Sequence, residues 1–289
     1  MQARTIILAV AAMLLAAGAV QADIVAIETV PVGDARNAPD TTGYGAVDHS
    51  YNIGKYEVTI GQYVVFLHHH HIHVSYTPPS YGFWDANHIT QSGSGTIEDP
   101  YVYSVPSEYA NNPVSYVSFW NACRFVNWLG NGQGDSDTET GAYTLNGYDG
   151  SAGADIGRNP GARWAIPTID EWYKAARYRG GADAGYFDQP TASAYGTEGQ
   201  FENGWEWSES VGFVNSTAGR ILGGGLVEHE NEKEYAECQI NDPSHGSGSG
   251  GGDFLTFEGD LCFRVIEVPE PATLSLLALG GLAMLRRKK

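Results

Sequence analysis

Only three short stretches of this chain carry helical periodicity away from its two apolar ends. That shortage constrains the fold more than any other feature. In "EVTIGQYVVFL", Thr59 precedes Gln62 by three residues, an arrangement that satisfies two helix-end N–H groups, and Tyr63, Phe66 and Leu67 recur at helical spacing. In "YVSFWNACRFVNWLG", Ser118 is placed to cap the helix, Phe119, Ala122, Cys123, Val126 and Leu129 form its apolar face, and Gly130 stops it. In "IPTIDEWYKAARYRGG", Thr168 and Glu171 repeat the capping box, and Gly180-Gly181 close it. Short strands are expected at "DIVAIETV", "SYNIGKYEV", "ARWAIP", "GRILGGGLV" and "LCFRVIEV". No repeat of 20–50 residues is visible. The remainder is rich in glycine (37) and in rings (7 Trp, 17 Tyr). Such a chain reads as one α+β domain, irregular and loop-rich, with aromatic rings filling the core and their N–H and O–H ends finding partners. "GNGQGDSDTETGAYTLNGYDGSAGADIG" reads as a long surface loop, and "SHGSGSGGG" as a flexible insertion.

The ends are not part of that domain. Residues 1–22 carry one cation (Arg4), an apolar run from Ile6 to Val20, and small residues before a cleavage point between Ala22 and Asp23. This is the three-part layout of a secretory signal peptide. At the other end, Pro269-Glu270-Pro271 precedes an uncharged run from Ala272 to Leu285 and the cluster Arg286-Arg287-Lys288-Lys289. As a helix that run spans roughly 21 Å, short of the ~30 Å hydrocarbon core, so insertion needs thinning or snorkelling. The basic cluster stays cytoplasmic and leaves the body outside. The order of parts over residues 268–289 resembles the PEP-CTERM sorting signal of Gram-negative bacteria. The resemblance implies transient membrane association and an exosortase, a transpeptidase-like membrane enzyme of exopolysaccharide-making cells, as processing partner. A permanent anchor is the alternative. The expected location is the cell envelope, outer surface or extracellular matrix.

The body, residues 23–267, holds about 245 residues, enough for one large domain. Without Arg4 and the four terminal cations, 16 Lys+Arg fall to 11 against 34 Asp+Glu, a net charge of about −23. Nucleic acid, whose phosphates demand cations, is excluded as a partner. Three cysteines permit one disulfide at most, so no disulfide framework holds the fold.

Six segments in order resemble one family. "YNIGKYEVTIGQYVVFL", "NNPVSYVSFWNACRFVNWL", "RWAIPTIDEWYKAAR", "NGWEWSE", "GRILGGG" and "CFRV" are similar to the successive motifs of the formylglycine-generating (sulfatase-modifying factor) domain. The resemblance runs from about Asp23 to Val268 and implies a variant C-type-lectin-like fold. In such a fold Trp172, Trp205, Trp207, Arg163, Arg264 and Glu171 are scaffold residues, filling space and satisfying backbone groups.

The chemistry that the resemblance implies is only partly represented. Aerobic members bind copper through two closely spaced cysteines and oxidise a client cysteine, since soft thiolates suit cuprous ion. Here Cys238 and Cys262 stand 24 positions apart in unrelated surroundings, so copper is not expected. A Cys238–Cys262 disulfide or two buried thiols are the readings left open. Iron-dependent sulfoxide synthases use a helical bundle that this length does not accommodate. The family's calcium loop maps onto Asn203, Gly204 (carbonyl) and Glu206, hard oxygen donors of the kind calcium requires. His68, His69, His70, His71 and His73 point round a helix rather than converging, which favours adventitious metal binding. Asp135, Asp137 and Glu139 start like a calcium loop, but Gly141 and Asn146 break its spacing. The expected function is therefore an exported, non-catalytic surface or exopolysaccharide-matrix protein that binds a polysaccharide or surface protein. Tyr76, Tyr81, Phe83 and Trp84 are candidate stacking rings. The alternative is a copper or non-haem iron oxidoreductase acting on a thiol substrate.

Overall fold

The three expected helices form where caps and apolar spacing coincide. α1 (Ile60–His73) starts from the reciprocal pair Thr59–Gln62, with Gln62 N donating to Thr59 Oγ1 (3.2 Å) and Thr59 N to Gln62 Oε1 (2.9 Å). α2 (Phe119–Gly130) is capped by Ser118, whose hydroxyl accepts from Asn121 N, and ends on Asn131 one residue beyond the expected glycine. α3 (Ile169–Arg177) carries the Thr168–Glu171 capping box complete and ends at Tyr178; Gly180 and Gly181 lie outside the described residues. The computed structural model describes residues 24–39, 43–73, 88–150, 153–178, 193–200, 204–214, 217–224, 227–229, 232–234, 238–241 and 261–268.

The strands, in chain order among these residues, are β1 (Thr29–Val32), β2 (Tyr51–Gly54), β3 (Thr90–Ser92), β4 (Val102–Ser104), β5 (Trp164–Ala165), β6 (Trp205–Val214), β7 (Thr217–Gly224), β8 (Val227–His229), β9 (Glu232–Glu234), β10 (Cys238–Asn241), β11 (Leu261–Cys262) and β12 (Ile266–Glu267). One sheet runs β1-β2-β12-β5, all antiparallel, so the last strand among the described residues lies between two that come earlier in the chain. The other runs β10-β7-β6-β11, with β11 parallel to β6. β3-β4 and β8-β9 are small hairpins. The expected strand "LCFRVIEV" is split: β11 joins one sheet and β12 the other, with Phe263, Arg264 and Val265 between them. The chain thus stitches the two sheets together at this point.

Rings fill the space between helices and sheets. Tyr63 and Phe66 of α1, Phe125 and Trp128 of α2, and Phe263 sit at centroid distances of 5.2–6.3 Å, mostly tilted or edge-on. Edge-to-face geometry of this kind lets the positive ring rim meet a negative face. Phe119, Trp120, Tyr143 and Trp207 extend the packing. The segment after α2 lacks regular structure but is held by buried polar side chains. Asn127 Nδ2 donates to the Thr138 and Tyr143 carbonyls (2.8 and 2.9 Å), and its Oδ1 accepts from Tyr143 N (2.8 Å). Arg124 reaches Glu139 and Asp149 from the same helix. Arg220 of β7 lies 4.3 Å from the Phe119 ring centroid and donates to the carbonyls of Glu209, Gly153 and Ile156. The expected surface loop is therefore pinned on its inner side.

Candidate functional site

The densest buried charge in the described molecule gathers where the two sheets are stitched. Arg264, fully buried, donates through Nε to Glu206 Oε2 (2.6 Å) and through Nη2 to Glu206 Oε1 (2.7 Å), a two-pronged pair. Its other N–H groups meet the carbonyls of Gly54 (2.8 Å), Lys55 (3.1 Å) and Glu198 (3.1 Å), and Glu57 Oε2 stands 3.4 Å away. Trp172 Nε1 donates to Glu206 Oε2 (3.0 Å). One guanidinium thus ties β2, β6 and the ends of both sheets together. The surrounding carboxylates hold Arg264 in its charged form, although burial opposes it.

In front of this cluster a cleft of about 200 Å³ opens, lined by Ala26, Glu28, Tyr56, Glu57, Gln62 and Val265 among others. It lies below the 300–1,000 Å³ usual for drug-sized ligands and matches one small ring or one side chain. Tyr56 is exposed at its rim, with Lys55 Nζ 5.0 Å from the ring centroid. Gln62 Nε2 donates to Ala26 O (2.9 Å) and fixes one wall. An exposed ring beside a carboxylate floor can stack on a sugar face and accept hydroxyl hydrogen bonds. Sequence reasoning missed this cleft. Its lining comes from three separate segments, and no local spacing announces it.

A second set of titratable groups runs inward from the surface. His49 Nε2 lies 3.0 Å from Glu171 Oε1, and His49 Nδ1 lies 2.8 Å from Asp48 Oδ1. Arg158 bridges Glu171 (2.9 Å) and Glu209 (3.0 Å), and Tyr143 donates to Glu209 Oε2 (2.8 Å). The hydrogen bond to Glu171 raises the His49 pKa above its ordinary value, against partial burial. Burial works to raise the Glu171 pKa, yet bonds from His49 and Arg158 hold it down at about 2. Glu171 is consequently a helix cap and counter-ion at once, as a scaffold residue should be.

Of the sequence-derived calcium set, Gly204 and Glu206 are among the described residues. Asn203 lies outside the described residues, Gly204 just precedes β6 at φ +109°, and Glu206 turns into the core. Both Glu206 oxygens already accept from Arg264 or Trp172. A carboxylate so satisfied fits a cation poorly. No cluster of three His, Cys, Asp or Glu side chains suited to a metal occurs among the described residues. His68 Nε2 accepts from Tyr103 N, whereas His69 Nδ1 faces Asp135 and its ring stacks on Trp128. Those two imidazoles diverge; the side chains of His70, His71 and His73 lie outside the described residues. Asp137 accepts from Glu139 N and from the Thr140 hydroxyl, and Glu139 serves Arg124 and Gly147 N, so these acids brace their own loop.

The Cys238–Cys262 disulfide expectation is corrected. Cys238 pairs with Gly223, Gly223 with Glu206, and Glu206 with Cys262, which places the two cysteines in one row but on opposite edge strands. Three strand spacings make roughly 14 Å, twice the Cα separation a disulfide tolerates. Cys262 is a free buried thiol donating to Trp205 O (3.3 Å), and burial pushes its pKa well up. Cys123 is likewise free and buried. Ala22, Asp23, Tyr76, Tyr81, Phe83, Trp84, Pro269, Glu270 and Pro271 lie outside the described residues. Among those described, no helix is long and apolar enough to cross a membrane.

Short capped helices, two stitched sheets and a buried arginine knot define a loop-rich α+β body of the C-type-lectin-like, formylglycine-generating-enzyme type. The chain belongs to the sulfatase-modifying factor enzyme 1-like domain family, whose model matches residues 10–237, and residues 267–289 match the PEP-CTERM protein-sorting motif. Among solved structures it is similar to Treponema denticola variable protein 1, at 15% identity over 83% of this chain and 95% of that one, with a TM-score of 0.45. No curated protein matches the chain.

Proposed function

We propose that this exported scaffold binds rather than catalyses, as a surface or exopolysaccharide-matrix protein whose tail is handled by an exosortase-type enzyme. The observation that carries the reading is the separation of Cys238 and Cys262 across the full width of a sheet. Thiol oxidation on a cuprous centre needs two sulfurs on one metal and a reactive thiolate. Here the two cysteine Cα positions stand roughly 14 Å apart by strand spacing, and Cys262 is sealed in the core as a neutral thiol. The residues that the family motifs share are spent on structure: Arg264, Glu206 and Trp172 on one another, Glu171 on capping.

The cleft beneath Tyr56 is the candidate binding site, sized for a single sugar ring. Screening the mature body on an array that includes the producing cell's own exopolysaccharide tests this. Binding is expected, with at least a tenfold loss in Tyr56→Ala. An array without signal for the wild type, together with one tightly bound copper and oxygen uptake on a cysteine peptide, would establish the oxidoreductase reading instead.

A further inference from the structure

The match to the sorting motif begins at residue 267, inside the fold. Glu267 is paired on both sides, with Asn52 of β2 and Trp164 of β5, and Val268 N donates to Arg163 O (2.7 Å). Ile266, just before it, is fully buried. The Glu267 carboxylate is gripped as well, by Arg163 Nη2 (2.5 Å), Arg163 Nε (2.9 Å) and Asn52 Nδ2 (3.2 Å). The next residue, Pro269, has no N–H with which to extend the ladder. No spacer therefore separates the folded body from the sorting motif. Even fully extended, Pro269 to Pro271 reach only about 10 Å from the sheet.

Resting on the reading that the tail is processed, we propose that the folded body gates that processing. β12 is an inner strand with partners on both sides, so an enzyme has no free strand edge there to pair with. Engaging residues upstream of Pro269 would mean extracting Ile266 from the core and breaking the Arg163–Glu267 pair. The processing enzyme instead works from Pro269 onward, seated against the surface formed by Arg163, Asn52 and Glu267. The step itself breaks one peptide bond. Its acyl carbon passes to water or an amine, and its nitrogen leaves with a proton.

The test uses the full chain in cells that contain the sorting enzyme, followed by pulse–chase and by intact mass of the released body. A six-residue Gly/Ser spacer between Val268 and Pro269 lies beyond the last sheet hydrogen bond, and the melting temperature of the mature body serves as its folding control. The spacer is expected to speed processing at least threefold, and the wild-type product is expected to end at or beyond Pro269. Equal or slower processing of the spacer variant, or a wild-type product ending at or before Val268, overturns the gating. If neither form is ever processed although both are exported, the reading of the tail as a processed signal falls instead.

Discussion

Replacing Glu206 by Gln removes one charge from the arginine knot while keeping its volume. The amide oxygen can still accept from one Arg264 nitrogen, but the amide nitrogen then opposes another N–H donor. One short bond (2.6 or 2.7 Å) is lost and a donor is left facing a donor. Breaking a buried ion pair by removing one partner costs about 3–5 kcal/mol. Glu57, 3.4 Å from Arg264, still supplies a negative charge, so the lower end, about 3 kcal/mol, is expected. With a urea slope near 3 kcal/mol per molar, the midpoint should fall by about 1 M at unchanged slope. Arg264→Leu strands two buried carboxylates and three carbonyls, and should cost more than about 5 kcal/mol, enough to prevent folding. The Gln variant is measured in calcium and in chelator. A counter-ion role predicts the same loss in both. A loss under about 1 kcal/mol, or one confined to calcium-containing buffer, refutes the assignment of Glu206 to the scaffold.

Three further perturbations test other parts of the fold. Gly223→Ala would place a Cβ 2.4 Å from Trp172 Cδ2, against an indole that Glu206 holds still; a loss of about 1–3 kcal/mol is expected in urea unfolding. Asn127→Ala removes three buried backbone bonds and should cost about 2–4 kcal/mol, with faster proteolysis in the segment 131–150. His49 has a folded pKa raised by Glu171, so its contribution is complete below the unfolded value of about 6.5. That contribution disappears as pH rises through the folded value. Melting temperature should therefore fall with rising pH in this window, and His49→Gln should flatten that fall.

Local chemistry was legible where it acts over three or four residues. The boxes Thr59–Gln62 and Thr168–Glu171 and the cap Ser118 all form as written, because each needs only its own turn. β6, the longest strand, escaped notice as a strand although its motif was recognised. Its residues Trp205, Glu206, Trp207 and Ser208 are all buried, so polar and apolar positions do not alternate between water and core. The partner of Glu206 was not legible either: the sequence shows a carboxylate but not that Arg264, 58 positions away, binds it. The cysteine row was unreadable too, since it depends on how β10 and β11 take opposite edges of one sheet.

The position of β12 has a consequence for the order in which this protein is made. A secreted chain emerges from its amino end, and β12 is the last strand among its described residues. Until Ile266 and Glu267 clear the translocation channel, the slot between β2 and β5 stays vacant and two strand borders remain open to strangers. Long-range closure of this kind is slow, and the waiting intermediate is the form most prone to clump. Completion of the body is therefore timed to the arrival of its own tail.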